Sequence, residues 1–243
     1  GKFGSEYENV SAVWFWNKLK LRGSSRDETG GEELLYMQGG FETLTRGLSQ
    51  VLGERGVLIQ KNTRVSKVEV EAGKVTGLRE DQGRFYPAQS VLVTAPLPEF
   101  LRIVPDLPGD YAAQAAQIRF LGNVCLVLRL KRSLSGTYWL NVADPTFPFV
   151  GVIEHTNFDS PDNFKGEHIA YISKYLPTSD WLYTAGDEEV FNYSLPYITK
   201  IFPEFSPEWV LGYKVWRAQY SQPVVTKHYS QSIPNQRTPL AGL

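Results

Sequence analysis

Between Gly39 and Pro105 the hydrophobic pattern changes period, and that change limits the folds open to the chain. Apolar residues first fall at Phe41, Leu44, Leu48, Val51 and Leu52, with Glu42, Thr45, Arg46, Gln50 and Glu54 between them, which is helical spacing. Gly53 and Gly56 are expected to end that helix, and Val57, Leu58 and Ile59 to follow as a short buried strand. The period then drops to two. Val65 to Glu71 and Val75 to Glu80 flank a turn at Ala72 and Gly73, and Asp81, Gln82 and Gly83 turn the chain again into Arg84, Phe85 and Tyr86. Ser90 to Thr94, with Val91, Leu92 and Val93 inside it, suits a strand covered on both faces. Helix, strand, meander and strand in this order describe a compact unit attached to a parallel sheet.

After Pro108 the character changes. Runs rich in β-branched and aromatic residues at 123–130, 137–142, 148–154, 168–175 and 209–216 alternate with loops holding Pro, Asp, Asn and Gly, which reads as a largely antiparallel sheet. Helices are expected over roughly 110–120 and over 187–202, the latter with Val190, Leu195, Ile198 and Ile201 inward and with Pro196 kinking or interrupting it. A further helix is expected over 11–22, capped by Ser11, ended by Gly23 and unusually aromatic at Trp14, Phe15 and Trp16. The polar stretch from Arg22 to Glu33 reads as a loop. The fold class is therefore α+β: a largely antiparallel, mixed sheet flanked by helices, with a strip of an α/β domain attached.

At 243 residues the chain suits one large domain or two smaller ones. A net charge of -1 gives no reason to expect nucleic acid or an anionic surface as partner. The single cysteine, Cys125, lies in the apolar run Val124 to Leu130 and reads as a small hydrophobe rather than a nucleophile. With three scattered histidines there is no metal-ligand spacing, and no metal is expected. His155, after Val152, Ile153 and Glu154, could stand at a strand end as an acid or base. No apolar run approaches the roughly 20 residues that span a bilayer, and no secretory signal is seen, so a cytoplasmic protein is expected. The self-contained nucleotide and hydrolase signatures are missing, including Gly-x-Gly-x-x-Gly, the P-loop and Gly-x-Ser-x-Gly.

Over many residues the arrangement resembles the flavin-dependent amine oxidase superfamily, which includes protoporphyrinogen oxidases and phytoene-desaturase-like enzymes. The resemblance rests on Tyr36, Met37, Gln38, Gly39 and Gly40, then Leu44 and Leu48, Val57 to Ile59, Val65 to Val68, Gly77 and Gly83, Val91 to Pro96 and Leu101 to Pro105. Later segments that resemble it are Ile201 to Pro203, Trp216 and Arg217, Tyr220 to Pro223 and Thr238 to Leu243. The family's glycine fingerprint and its C-terminal glycine-containing flavin motif are both absent, so the chain looks like a central portion. The resemblance implies four stretches: a helix and loop of the substrate domain (1–38), a partial FAD-binding domain (39–108), the substrate-binding domain (109–230) and the start of the last FAD-domain strand (231–243).

It also implies roles. Gly39 and Gly40 would lie beside the flavin, Val65 would offer its backbone to adenine, and Thr94, Ala95 and Pro96 would meet the ribose and phosphate side. By chemistry alone Val65 is indistinguishable from a core valine. For the substrate, an apolar sheet walled by aromatics would exclude water, and the candidates are Tyr36, Trp139, Tyr171, Tyr175 and Trp216. Arg217 could hold a carboxylate bidentately, or form a surface ion pair. No catalytic residue is identified. The implied activity is hydride transfer from a C–N or C–C centre of an apolar or amine substrate to FAD, with the chain alone inactive and not retaining FAD. Alternatives are a stand-alone binding module and a flavin-dependent mutase of the UDP-galactopyranose mutase kind, which would want several arginines on a diphosphate where 137–230 holds only Arg217. Substrate subclass and oligomeric state are not written in the sequence; peripheral membrane contact is compatible with it, and the aromatic helix could shield an access path for a lipid-like substrate or simply pack.

Overall fold

Two antiparallel sheets organise the computed structural model, which describes residues 2–23 and 35–243. In chain order come α1 (Ala12–Gly23), α2 (Glu42–Glu54), β1 (Val65–Glu71), β2 (Lys74–Glu80), β3 (Phe85–Pro87), α3 (Leu97–Ile103) and α4 (Gly109–Ala116). They are followed by β4 (Phe120–Leu130), β5 (Trp139–Asn141), β6 (Gly151–Glu154), β7 (His168–Leu176), α5 (Trp181–Thr184), α6 (Asp187–Ile201), β8 (Val210–Pro223) and α7 (Tyr229–Ser232). The fold class is α+β. The chain divides into two compact units, one of Gly1–Tyr36 with Phe120–Thr226, the other of Met37–Arg119 with Lys227–Leu243. Apart from Arg22 and Gly23, which end α1, the loop expected from Arg22 to Glu33 lies outside the described residues.

The first unit is built on β4. Its alternation sends Val124, Leu126, Leu128 and Leu130 to one face, each at most 3% exposed, and Asn123, Cys125, Val127 and Arg129 to the other. β4 pairs antiparallel with both β7 and β8 in a sheet of order β5-β6-β7-β4-β8. Leu126 stands opposite Ile172 and Val215, so one apolar face is continuous over three strands. α6 covers that face with Val190 and Ile198, both buried. Glu189 accepts from the Gly186 N–H at 3.2 Å, three acids occupy its first turn and Lys200 its last, all favourable to the helix dipole. Of the two expectations for Pro196, a kink or an interruption, the interruption is absent: the helix is continuous through it. Pro196 and Asn192, whose carbonyl loses its partner, both lie on the exposed side, where water can serve the carbonyl.

The second unit is built on the meander β1-β2-β3. Ala72 and Gly73 both have positive φ (48° and 75°), the geometry that matches a two-residue hairpin loop to strand twist. At Gly77 an added Cβ would collide with the Tyr86 carbonyl and the Phe85 ring, so glycine is what lets β3 close on β2. Val68 and Val75 are buried against Phe100, Ile103, Val104, Leu107 and Leu240. The last residues thread into this unit: Ala241 donates to the Gly73 carbonyl and accepts from Val75, both at 2.9 Å, while the Gly242 carbonyl accepts from Val91 at 2.7 Å. Gly242 has φ 87°, and a Cβ there would sit 2.6 Å from the Gln89 carbonyl oxygen.

Two expected strands are corrected. Residues 57–59 and 90–94 are not strands, and Leu58 and Leu92 are 78% and 89% exposed. A run of apolar residues becomes a strand only against a ladder partner. No described strand pairs with either run. α2 has the expected spacing, yet buries no residue: Phe41, Leu44, Leu48, Val51 and Leu52 all remain at least 40% exposed. It ends at Glu54, with Gly56 in the left-handed region at φ 79°. α3, a short helix entered by Pro98 in its first turn, was not expected.

Replacing Leu128, fully buried at the centre of β4, by Ala should lower unfolding stability by about 2–5 kcal/mol. A urea titration followed by tryptophan fluorescence would read this as a lower midpoint with an unchanged slope.

Candidate functional site

The register of the five-stranded sheet decides which side chains share its second face. Across it, Trp139, Ile153, Tyr171, Val127 and Lys214 form one row, and Asn141, Gly151, Ser173, Cys125 and Trp216 the next. Tyr175 stands opposite Asn123 in the row beyond. Four of the sequence-derived substrate candidates, Trp139, Tyr171, Tyr175 and Trp216, therefore project from one face. Trp139 and Trp216 are 53% and 57% exposed, and Lys214 Nζ lies 4.2 Å from the centre of the Trp216 ring. The Trp139 indole donates to Asn141 Oδ1 at 3.0 Å. A cavity of about 400 Å³ opens beside Trp139 and Tyr175, with Lys2, Asn141 and Ser173 in its wall.

Tyr36 joins this face through a ring cluster. Its ring lies 5.1 Å from His155 and 5.7 Å from Phe158, edge on, and His155 in turn packs at 5.9 Å from Tyr171 and 5.4 Å from Phe164. Burial raises the Tyr171 phenol above its ordinary pKa, and nearby Tyr36, Cys125 and Tyr138 push the same way. His155 directly follows β6, is only 9% exposed, and has Nε2 4.0 Å from Asp159 Oδ2. Next to it Glu154 is a buried carboxylate met by the backbone N–H groups of Leu134 and Ser135 at 3.0–3.1 Å, with His168 Nδ1 at 3.7 Å. Tyr138, Phe158 and Phe164 complete the cluster and carry no sequence signal, because ring contacts between separate segments leave no local periodicity.

Arg217 takes the other direction. It stands opposite Val124, so it leaves the sheet on the core side. Its Nε donates to the Tyr183 carbonyl at 2.9 Å, and its two terminal nitrogens reach the Ala185 carbonyl at 2.6 Å and Asp187 Oδ1 at 2.8 Å. The guanidinium thus ties α5 and the start of α6 to β8. Its hydrogen bond holds the Asp187 carboxyl below the usual carboxylate range. Cys125 faces the open side, half-buried, and burial raises its thiol to about 11, far from a reactive thiolate.

The cofactor candidates all lie in the second unit. Gly39 and Gly40 have φ 80° and 77°, a double left-handed turn closed by the Gly40 N–H on the Met37 carbonyl at 2.8 Å. A Cβ on Gly39 would lie 2.9 Å from Thr43 Oγ1, so a side chain there would need Thr43 to shift and would strain a left-handed backbone. Val65 is partly buried, and its carbonyl receives Arg102 at 3.5 Å. Thr94, Ala95 and Pro96 are exposed; the Pro96 carbonyl starts α3 by accepting from Phe100 at 2.9 Å. Ala95 borders an apolar cavity of about 440 Å³ with Val93, Phe100, Tyr111 and Leu243. Backbone turns and small side chains of this sort suit recognition of a flat, hydrogen-bonding cofactor by main-chain groups. Among the described residues no group of His, Cys, Asp and Glu could hold a metal, and no helix is long and apolar enough to cross a membrane.

A family model described as flavin containing amine oxidoreductase matches residues 4–243, nearly the whole chain, and the chain belongs to that family. No curated protein matches it. Among solved structures it is similar to an oxidoreductase from Methanosarcina mazei, at 20% identity and a TM-score of 0.65, over 85% of this chain and 48% of that one. It is similar also to a protein of Exiguobacterium sp. 255-15 provisionally named protoporphyrinogen oxidase, at 17% identity and a TM-score of 0.69, over 94% of this chain and 52% of that one. A third is a reduced UDP-galactopyranose mutase, at 12% identity and a TM-score of 0.63, over 80% and 42%. At these identities the likeness is one of fold. The chain spans about half the length of the solved structures it matches.

Removing the fork of Arg217 should destabilise the first unit, with Arg217→Lys losing nearly as much as Arg217→Ala, because one ammonium cannot reach three acceptors. The Asp187 pKa is depressed in the folded state, so its contribution is complete above the unfolded value of 3.8 and is lost as pH falls through the lower folded value. Asp187→Asn should therefore lessen the loss of stability below about pH 4, read from urea midpoints across pH 2–7.

Proposed function

We propose, from membership of the flavin containing amine oxidoreductase family, that this chain supplies the substrate wall and one side of the cofactor site of an FAD-dependent oxidoreductase. The reaction is removal of a hydride from a C–N or C–C centre of a mainly apolar substrate. The observation that carries this reading is the convergence of Trp139, Tyr171, Tyr175 and Trp216 on one sheet face beside a cavity of about 400 Å³. Bound flavin would supply the hydride acceptor. The chain's own part is to bind and orient: aromatic faces hold a flat apolar molecule and keep water from the reacting carbon. No side chain needs to take a proton for hydride transfer itself, and His155 in its ring cluster serves this scheme as packing.

The cofactor contacts assigned to Gly39, Gly40, Val65 and 94–96 are consistent with the double left-handed turn and the exposed Ala95 segment. Arg217 acts in this scheme as a brace rather than a substrate anchor, since its nitrogens are engaged by Tyr183, Ala185 and Asp187. The same bonds weigh against a mutase, which would need arginines free for a diphosphate.

Mixed with FAD and passed through gel filtration, the 243-residue chain should elute colourless, because its contacts form only one side of the site. Stoichiometric yellow protein would overturn that. In a protein carrying the complete FAD site, Trp216→Ala should raise KM about tenfold, a loss of about 1.4 kcal/mol, when substrate is scored by anaerobic bleaching of the flavin.

A further inference from the structure

The cavity beside Trp139 and Tyr175 contains one charge, the ammonium of Lys2, and no carboxylate. Lys2 Nζ lies 5.3 Å from the centre of the Tyr175 ring and 5.7 Å from that of Trp14, and no described carboxylate forms an ion pair with it. Its charged form is disfavoured first by burial and then by Lys18, whose own ammonium lies 5.9 Å from the Trp14 ring. Two cations thus flank one indole. A part-buried ammonium held only by ring faces is an unfinished ion pair, because π-faces offset part of its desolvation and a true counter-ion offsets more.

The neutral polar groups of the cavity point the same way. Asn141 Oδ1 is taken by the Trp139 indole at 3.0 Å, which leaves the Asn141 amide as a donor. Ser173 Oγ accepts from Asn123 Nδ2 at 2.8 Å, which leaves its hydroxyl proton free to be given. The carboxylates that line the adjoining cavity have partners of their own: Asp144 accepts from Thr146 at 2.9 and 2.7 Å, and Asp180 from the Leu182 N–H at 3.0 Å. The cavity therefore offers aromatic walls, a cation and two donors. No carboxylate lines it to receive an ammonium.

We propose that this cavity binds the carboxylate-bearing end of a flat apolar ligand, with Lys2 as its counter-ion and Trp139 and Tyr175 as its walls. The inference rests on the reading of this sheet face as the substrate wall and narrows the substrate class: an apolar acid rather than an amine.

Three fluorescent probes of one ring system separate the possibilities: 1-pyrenebutyrate, the neutral 1-pyrenebutanol and the cationic 1-pyrenemethylammonium, titrated against the 243-residue chain without flavin. The acid should bind roughly tenfold tighter than the alcohol, and the ammonium weakest. Lys2→Gln should erase the acid's advantage and Lys2→Arg should keep it, with circular dichroism showing both variants folded. Equal binding of acid and alcohol, no saturable binding of any probe, or a preference that survives Lys2→Gln overturns the proposal. Because no flavin is present, failure here leaves the hydride-transfer reading standing, and that reading is tested separately by flavin bleaching.

Discussion

Everything in the first unit depends on β4 being paired on both sides. With β7 along one edge and β8 along the other, its backbone groups are satisfied by ladder bonds, and its two faces are free for different work. The leucine face makes the core against α6, whose Val190 and Ile198 are fully enclosed. The opposite face inherits its aromatic residues from β5, β7 and β8 at positions fixed by that same pairing. The wall of the candidate site is thus a by-product of the core. Arg217 adds to this by drawing Tyr183, Ala185 and Asp187 onto the β8 edge, which keeps α6 seated over the leucines.

The second unit shows the opposite economy. Its meander and the segment 238–243 satisfy one another closely, through Gly73, Val75, Ala241, Gly242 and Val91. Beside that order, α2, residues 57–59 and Leu92 present bare apolar side chains. Burial of a Leu or Val side chain stabilises a fold by about 1.5–3 kcal/mol, so a face of this size is a cost wherever it meets water. Amphipathic spacing reports that a helix is meant to be covered. It does not report that the cover is present.

That distinction marks what could be read from the residues alone. The meander, β4 and β7 were legible because their partners lie within the chain and the turn residues Ala72, Gly73 and Gly83 announce themselves. Residues 57–59 and 90–94 carry equally good strand chemistry, and fail as strands for want of a neighbour. α3 is too short at seven residues for a period to show. The aromatic candidates were legible as residue types, and their gathering on one face follows from alternation once the register is known. The destination of Arg217 was not, because it turns on parity: adjacent residues of a strand face opposite ways.

Parity is also what makes this face sensitive to register. Between Arg129 and Leu130 the pairing with β8 skips Leu211, so that Gly212 stands opposite Arg129 and Val210 opposite Leu130. Without that extra residue Val210 would fall on the open face; with it, Val210 returns to the core packing. From Gly212 to Ala218 the strand then keeps one register, with Lys214 and Trp216 outward and Val215 inward. A slip of one residue would carry Trp216 into the leucine core and Arg217 out to the aromatic face, exchanging a brace for an exposed cation and an apolar wall for a lost one. The bulge at Leu211 therefore lets one strand serve the hydrophobic core at one end and still keep its tryptophan on the binding face at the other.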